Sequence, residues 1–390
     1  MEKVRYGIIG VGNMGLIHLK NFYAGKIENG VCTAFADLNP AKIKAALETC
    51  PGEYEVFETG DELIDRANVD AVIVAVPHYD HPKLAIRAMK RGLHVVCEKP
   101  AGVYTKQVKE MNEVANSCNT LFTMMYNQRT NPLYIKMHDV IASGELGEIR
   151  RVNWIITNWF RTQFYYDSGS WRATWKGEGG GVLMNQCPHQ LDLMQWICGM
   201  MPEKIHAFGH FGKWHNIETE DDVTAYMEFP NGATGAFITT TADAPGSNRF
   251  EITASRGRLI CEKDTLTIDR FDYDLQEYLN TSPDAFAKPK LTTEVVEQCK
   301  EKNTQHVGIL NNFSNAILGL EPLYVDGREG IHCVQLINAM LLSAFTGKTV
   351  TLPVDDEEYY AELSKRVAGS RLKEGGDKLI DNSMSFGGTQ

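Results

Sequence analysis

The first 126 residues alternate short apolar runs with helical patterns, and this alternation constrains the fold more than any other feature of the sequence. The apolar runs, such as VDAVIVAVP, are continuous, which is typical of strands covered on both faces of a sheet. The segments between them carry helix signals, since Pro40 opens one helical pattern and Pro51 ends it. We therefore predict an α/β Rossmann domain with a parallel sheet over residues 1–126.

The pattern changes after residue 126, where the strands become long and alternate between apolar and polar residues. Turns such as Asn231-Gly232 suit hairpins, so we predict an α+β domain with an open, mostly antiparallel sheet over residues 127–390. Within it, a polar insertion is expected at about 272–303 and an amphipathic helix at about 328–346.

Composition excludes some functional classes. The formal net charge of −11 gives no general attraction to nucleic acid or to an anionic membrane, and no apolar run approaches the length of a membrane span. Nine cysteines without a C-x-x-C pair indicate reduced thiols, and we expect a cytoplasmic location. The histidines at 206, 210 and 215 lie scattered along a predicted strand, so no metal site is predicted.

A glycine motif opens the chain. Gly10, Gly12 and Gly15 form a G-x-G-x-x-G pattern that follows a strand and starts a helix containing Asn13 and Met14. In this context the first glycine permits a tight turn, the second allows backbone to approach a pyrophosphate, and the third lets helix and strand pack closely. The pattern predicts a dinucleotide-binding site at the N-terminus of that helix.

The second predicted strand ends at Asp37, about twenty residues further on. A carboxylate there accepts hydrogen bonds from ribose hydroxyls and repels a 2′-phosphate. We therefore predict that the cofactor is NAD rather than NADP.

The segment LHVVCEKPAG ends a buried strand with Glu98 and Lys99. Ligands of open parallel sheets bind beyond the carboxyl ends of the strands, so Lys99 is expected beside the nicotinamide. There it can hydrogen-bond a substrate hydroxyl and share its proton; the alternative is a solvated pair of charges at a strand end. Pro77 and His81, after the preceding strand, are also predicted to contact the cofactor.

A second polar segment, GGGVLMNQCPHQLDLMQW, brings Asn185, His189 and Asp192 together at the start of a helix. The loop before it is rich in aromatic side chains beside hydrogen-bond donors, a combination that suits the apolar faces and hydroxyls of a pyranose. The predicted substrate-binding residues of this loop are Arg161, Tyr165, Trp171, Arg172, Thr174 and Trp175. The alternative is a surface loop whose aromatic side chains form a minor core.

These motifs together resemble the Gfo/Idh/MocA family of glucose–fructose oxidoreductases and inositol dehydrogenases. The resemblance covers nearly the whole chain and rests on the glycine motif with Asp37, on CEKPAG, on GELGEIRRV, on GEGGGVLMNQCPHQLDL and on the late segment around GREGIHCVQLINAM. It implies pyridine-nucleotide oxidation or reduction of sugars, inositols and related polyols. It also implies an open-faced sheet used for homo-oligomerisation, as a dimer or tetramer.

The resemblance assigns roles to individual residues. Lys99 matches the family's catalytic lysine, with Glu98 holding it in place, and His189 resembles the histidine next to the reacting hydroxyl. Many inositol dehydrogenases carry aspartate where this chain has Asn185. Because asparagine carries no charge, Lys99 is favoured over His189 as the base. Asp192 either orients His189 or is a buried structural acid.

Several functions are compatible with these features. The leading hypothesis is an NAD-dependent dehydrogenase that oxidises a ring hydroxyl, at C3, of a hexopyranose or its glycoside. In this hypothesis a sugar face stacks on Trp171 or Trp175, while Arg172 and Thr174 bind hydroxyls. The alternatives are an inositol or polyol dehydrogenase, a redox-assisted glycosidase or lyase that regenerates NAD within its cycle, and a non-catalytic sensor of dinucleotide and sugar.

Overall fold

Six strands near the N-terminus form one parallel sheet in the order β3-β2-β1-β4-β5-β6. The computed structural model describes residues 3–298 and 304–374. The strands are β1 Val4–Ile9, β2 Gly30–Ala36, β3 Glu55–Phe57, β4 Ala71–Val74, β5 His94–Cys97 and β6 Phe122–Met124. The helices between them are α1 Asn13–Tyr23, α2 Pro40–Thr49, α3 Gly60–Arg66, α4 His81–Lys90 and α5 Thr105–Ser117.

The burial of these strands explains the predicted α/β architecture. All four residues of β4 are fully buried, as expected for a β-branched and apolar strand covered by helices on both faces. The strand order reverses at β1, which lies between β2 and β4. This reversal opens a crevice at the carboxyl ends of the two central strands, the usual ligand site of such sheets.

The rest of the described chain is built around a mixed sheet of nine strands in the order β14-β13-β12-β11-β7-β10-β9-β8-β15. The strands are β7 Ile149–Ile156, β8 Lys204–Phe211, β9 Glu220–Glu228, β10 Thr234–Thr240, β11 Asn248–Ala254, β12 Gly257–Glu262, β13 Thr265–Phe271, β14 Leu291–Glu297 and β15 Val350–Thr351. The helices are α6 Pro132–Ala142, α7 Gln163–Asp167, α8 Val182–Asn185, α9 Pro188–Cys198, α10 Leu275–Thr281, α11 Gln305–Ile317, α12 Gly330–Thr346 and α13 Asp356–Gly369. β7 and β10 pair in parallel, and the other neighbours are antiparallel.

One face of this sheet is buried and the other is open. In β9, Val223, Ala225 and Met227 are buried, whereas Tyr226 on the opposite face is 48% exposed. The region about 272–303 contributes α10 and the edge strand β14, and its last five residues lie outside the described part of the chain.

The helix α12 joins the two sheets. It packs against β8, α9 and α5, and most of its residues are buried. The fully buried Asn338 accepts a hydrogen bond from Thr105 N at 3.0 Å and donates one to Val103 O at 2.9 Å. These bonds satisfy backbone groups at the start of α5, so they fix α12 against the parallel sheet. No helix among residues 3–298 and 304–374 is both long and apolar enough to cross a membrane.

A buried ion pair links α9 to the segment after β6. The Arg129 guanidinium donates to both carboxylate oxygens of Asp192, at 2.8 and 2.6 Å, and both side chains are almost completely buried. A further bond at 2.6 Å joins Arg129 to Glu329 beside α12. Removing one partner from such a pair leaves a buried charge without compensation.

We expect Arg129→Met to lower the free energy of unfolding by about 3–5 kcal/mol, because Asp192 would lose its buried cation. Urea unfolding of the protein without cofactor measures this loss. The matched control is Lys204→Met, which removes an exposed pair with Glu228 whose side chains are 46% and 47% exposed. That control is expected to cost less than about 1 kcal/mol. Equal losses in the two variants would contradict the prediction.

Candidate active site

A cavity of about 1140 Å³ lies along the carboxyl ends of the central parallel strands. Its other walls come from the loop that precedes α8, from the first turn of α9 and from the start of α11. The structure brings most of the predicted site residues into this one space. Those that line it are Gly10, Gly12, Asn13, Met14, Asp37, Pro77, His81, Glu98, Lys99, Arg161, Tyr165, Trp171, Arg172, Asn185 and His189.

The glycine turn has the geometry that a pyrophosphate requires. Gly10 has a φ of +88°, and a Cβ there would lie 2.5 Å from the carbonyl oxygen of Ala75. Gly15 lies outside the cavity wall, where a Cβ would lie 1.8 Å from the carbonyl oxygen of Gly10. The helix α1 starts after Gly12 without a side-chain cap, so its first N–H groups are available to phosphate oxygens.

Asp37 stands at the end of β2 beside this turn. Its two carboxylate oxygens accept hydrogen bonds from Val11 N and Asn39 N, both at 2.9 Å. A carboxylate has about four lone-pair positions, so both oxygens can still accept from ribose hydroxyls. The residues present therefore fit the pyrophosphate and the adenosine ribose of NAD.

Lys99 follows β5 and reaches across the cavity to the second half of the chain. Its Nζ donates to the backbone oxygen of Asn185 at 2.8 Å. Burial lowers the pKa of Lys99, although Glu98 and Glu178 act in the opposite direction. A lysine with a lowered pKa can exchange a proton with a substrate hydroxyl closer to neutral pH.

The carboxylate of Glu98 bonds to groups other than the amine of Lys99. It accepts a hydrogen bond from His18 Nε2 at 2.7 Å and a longer one, 3.3 Å, from the backbone N of Lys99. Burial alone would raise the pKa of Glu98, but the bond from His18, with the nearby His306, lowers it to about 2. Glu98 therefore holds Lys99 through the backbone, and not through the ammonium group as a simple side-chain pair would.

His189 lies in the first turn of α9 and lines the same cavity. Burial lowers its pKa well below the usual value, and the positive charge of Lys99 adds to this effect. Within the described part of the chain, His189 Nδ1 is buried and has no hydrogen-bond partner. A neutral imidazole near Lys99 can accept a proton from a substrate hydroxyl.

Asn185, the last residue of α8 and four residues before His189, contacts a buried carboxylate that was not predicted from the sequence. Its Nδ2 donates to Oε1 of Glu178, a side chain only 2% exposed. Burial raises the pKa of Glu178, partly offset by Arg172 and by the bond from Ala173 N. The signal in the sequence was the glutamate of GEGGG, a charged residue among glycines that pack tightly.

The loop before α8 supplies an aromatic and cationic wall. Arg172 NH1 donates to Tyr165 OH at 2.9 Å, and its guanidinium lies 4.7 Å from the centre of the Trp171 ring. The Arg161 guanidinium lies 5.2 Å from the centre of the Tyr165 ring. Trp171 and Tyr165 thus line the cavity together with two guanidinium groups that lie over their rings.

Besides Gly15, three predicted site residues do not lie in the cavity wall. Trp175 is 5% exposed and packs between Phe211 and Phe345, with ring centres 5.8 and 5.5 Å away. Thr174 is 1% exposed, and its hydroxyl donates to the backbone oxygen of Trp171. Their predicted contacts with a sugar do not agree with these positions, because both side chains serve to hold the loop.

Asp192 is the third of these residues. It is directed to Arg129 on the buried side of α9, so it is a structural acid and does not orient His189.

Contacts with distant segments fix this loop in place. Tyr79 OH donates to Trp175 O at 2.7 Å, and Trp175 N donates to Glu218 Oε2 at 3.2 Å. Near the end of the described chain, Lys373 N donates to Ser170 O at 2.9 Å. The loop is therefore attached to both halves of the molecule.

Two further cavity residues were not predicted from the sequence. His78 follows β4 and lies 6.0 Å, ring centre to ring centre, from Trp171; His306 belongs to the first turn of α11. Burial lowers the pKa of His306 to about 4. Across residues 3–298 and 304–374, His, Cys, Asp and Glu side chains form no group of three able to hold a metal ion.

These features define a nicotinamide-dependent oxidoreductase: a glycine turn at a helix N-terminus, an acidic strand end, and a lysine at the carboxyl edge of the sheet. Residues 4–126 match the model of an oxidoreductase family with an NAD-binding Rossmann fold, and residues 134–260 match the GFO/IDH/MocA C-terminal domain. The chain therefore belongs to the Gfo/Idh/MocA family, is a dehydrogenase and uses NAD.

Characterised relatives are distant in sequence. A myo-inositol 2-dehydrogenase from Thermotoga maritima is 25% identical over 266 residues, which cover 66% of this chain and 75% of the relative. A levoglucosan dehydrogenase from Pseudarthrobacter phenanthrenivorans is 24% identical over 297 residues, 67% of this chain and 74% of the relative. The crystal structure of the WlbA dehydrogenase from Bordetella pertussis, in complex with NADH and UDP-GlcNAcA, is 25% identical with a TM-score of 0.75. The structural match covers 91% of this chain and 100% of the WlbA chain.

We expect the unmodified protein to prefer NAD, and Asp37→Ser combined with Leu38→Arg to move the preference toward NADP. The double change removes the carboxylate that repels a 2′-phosphate and adds a cation at a side chain that is 83% exposed. Dissociation constants of the two reduced cofactors, from nicotinamide fluorescence, measure the ratio. Leu38→Arg alone is the control and should retain NAD preference. A parent protein that binds NADP more tightly than NAD would contradict the assignment to Asp37.

Proposed function

We propose that this protein oxidises a ring hydroxyl, at C3, of a hexopyranose or of a glycoside. The observation that carries the proposal is that Lys99 and His189 line the same cavity as the wall of Trp171, Tyr165 and Arg172. An aromatic face beside fixed donors suits a pyranose ring, and a lysine with a histidine suits removal of a hydroxyl proton.

The size of the cavity supports a substrate larger than a small alcohol. Pockets for one drug-sized ligand are typically about 300–1,000 Å³, whereas this cavity is about 1140 Å³. Its glycine turn and Asp37 account for the dinucleotide at one end. Lys99 and Trp171 line the same cavity, so we place the substrate between them.

Proton handling is assigned to Lys99 and His189. Gly12 and Asp37 would hold NAD, which would supply the acceptor for the hydride of the carbon that carries the reacting hydroxyl. Lys99 binds the hydroxyl oxygen and stabilises its developing negative charge, while the neutral His189 accepts the proton. Burial lowers the pKa of both groups, so Lys99 gives up its proton more readily than a solvated lysine and can exchange it with the hydroxyl.

Inositol oxidation is the second candidate. It is favoured by relatives named myo-inositol 2-dehydrogenase and inositol 2-dehydrogenase, which are 25% and 24% identical to this chain. Against it, the wall of Trp171, Tyr165 and Arg172 offers more aromatic surface than a free inositol requires.

We also propose that residues 1–126 bind most of NAD and that residues 127–390 bind the substrate. We further propose that the open face of the nine-stranded sheet contacts a second copy of the chain. That face carries Phe208 and Tyr226 on adjacent strands, 65% and 48% exposed. Exposed aromatic side chains of this kind are more typical of interfaces than of free surface.

We expect Lys99→Ala to reduce turnover of methyl β-D-glucopyranoside with NAD by about 10²–10⁴-fold, the usual effect of losing an acid–base group. NADH fluorescence should show nearly unchanged cofactor binding. Lys83→Ala, at an exposed lysine in the wall of the same cavity, is the control and should retain turnover. Near-normal turnover in Lys99→Ala would show that this lysine is structural and not catalytic. Formation of product without net NADH in the parent protein would favour the redox-assisted glycosidase or lyase.

We expect Trp171→Ala to raise the KM for methyl β-D-glucopyranoside by about 5–10-fold, since stacking on an aromatic ring contributes about 1 kcal/mol. Trp175→Ala is the matched comparison. It should lower the free energy of unfolding by about 3–5 kcal/mol and change the KM less, because its ring is buried beside Phe211. A strong preference for myo-inositol in the parent, or an unchanged KM in Trp171→Ala, would contradict the glycoside proposal.

A further inference from the structure

The buried carboxylate of Glu178 lies directly behind the catalytic segment, residues 185–189. Its Oε1 accepts from Asn185 Nδ2, and its Oε2 accepts from Ala173 N at 2.5 Å. Its own backbone oxygen contacts His78 Nδ1 at 3.1 Å. Glu178 thus joins the substrate-binding loop, the catalytic segment and the residues after β4, although its side chain does not line the cavity.

Asn185 connects this carboxylate to Lys99. Its side chain donates to Glu178, while its backbone oxygen accepts from Lys99 Nζ at 2.8 Å. The carboxylate nearest to Lys99 in sequence, Glu98, bonds instead to His18. Glu178 is therefore a second source of negative charge for the amine, and it is linked to Lys99 through Asn185.

The identity of residue 185 agrees with this arrangement. An aspartate at this position would place a second carboxylate in contact with Glu178, and two adjacent carboxylates cannot both ionise without a large cost. An asparagine instead donates to the carboxylate and carries no charge. Of these two side chains, only Glu178 can then carry a negative charge.

We propose that Glu178 is a positioning residue of the oxidation, which orients the catalytic segment through Asn185 and supplies negative charge that stabilises the ammonium form of Lys99. This inference rests on the proposed function, in which Lys99 handles the proton of the substrate hydroxyl. Glu178 itself does not touch the substrate.

Other groups also set the charge of Lys99. The titratable and charged side chains that interact electrostatically with it are Glu98, His78, His81, Arg172, Glu178, Cys187, His189, His306 and Cys333. A change confined to Glu178 leaves the others in place. Because loss of a nearby negative charge disfavours the ammonium form, Lys99 should then titrate at lower pH.

The test uses Glu178→Gln, Asn185→Asp and the double variant of the full-length protein. In Glu178→Gln one of the two carboxylate oxygens becomes an NH2 group, so either the bond from Asn185 or the bond from Ala173 is lost. In the double variant the new glutamine amide donates to the aspartate introduced at position 185, and its oxygen accepts from Ala173. The double variant therefore restores every hydrogen bond and moves the charge from position 178 to position 185.

The first readout is the titration of Lys99 itself. Cyanate carbamylates neutral amines, so the rate at Lys99, followed by peptide mass spectrometry against pH, reports its ionisation without substrate or cofactor. We expect the midpoint to fall by about one pH unit in Glu178→Gln, which corresponds to about a tenfold faster reaction at pH values below the midpoint. In the double variant the midpoint should return toward the parent value.

The second readout is turnover of methyl β-D-glucopyranoside with NAD. We expect kcat to fall about 10–100-fold in Glu178→Gln. The pH profile of kcat should move to lower pH, and NAD binding should be unchanged. In the double variant kcat should recover to within about threefold of the parent value. A parent-like midpoint and kcat in Glu178→Gln would overturn the proposal. So would a loss that the double variant does not recover.

A variant that fails to fold does not end the test. If Glu178→Gln is unfolded, Glu178→Asp and Glu178→Asn are compared, since the two replacements have equal size and differ in charge. The proposal expects the higher Lys99 midpoint in the aspartate variant, and equal midpoints would overturn it. Failure of the proposed function is recognised separately, because Lys99→Ala would then retain turnover whatever the carbamylation results show.

Discussion

The hydrogen bond from Lys99 Nζ to the backbone oxygen of Asn185 is the contact on which the site depends. It joins the carboxyl edge of the parallel sheet to the segment that carries His189, two parts of the chain that are 86 residues apart in sequence. The contact requires the two sheets to be held at a fixed distance. The buried helix α12 provides this, since it packs on β8 and α9 on one side and on α5 on the other.

The fold was predictable from the sequence where burial left a periodic pattern. The parallel strands appeared as continuous apolar runs, and β9 appeared as an alternation of buried and exposed residues. Two strands of the second sheet had no such pattern. β14, Leu291–Glu297, is exposed along most of its length, and β15, Val350–Thr351, has two residues, so their pairing depends on neighbours and not on their own composition.

The same distinction applies to the site. Gly10, Asp37 and Lys99 could be assigned because a turn, a strand end and a sheet edge are local features. Trp171 and Trp175 could not be told apart, since what removes Trp175 from the cavity is a pocket formed by Phe211 and Phe345. Likewise Asp192 is defined by Arg129, 63 residues earlier, and the role of Glu178 emerges only when its contact with Asn185 is visible. Long-range contacts decided each of these cases.

The attachment of the substrate-binding loop has a consequence for how such enzymes diverge. Tyr79, Glu218 and Lys373 hold the loop through its backbone, by bonds to Trp175 and Ser170. Backbone bonds of this kind tolerate replacement of the side chains between them. In the proposed function, exchange of the aromatic and cationic groups of the wall would therefore change the preferred sugar and leave the dinucleotide half, Lys99 and His189 in place. In this architecture, the residues that would set specificity can change independently of the residues that would perform the chemistry.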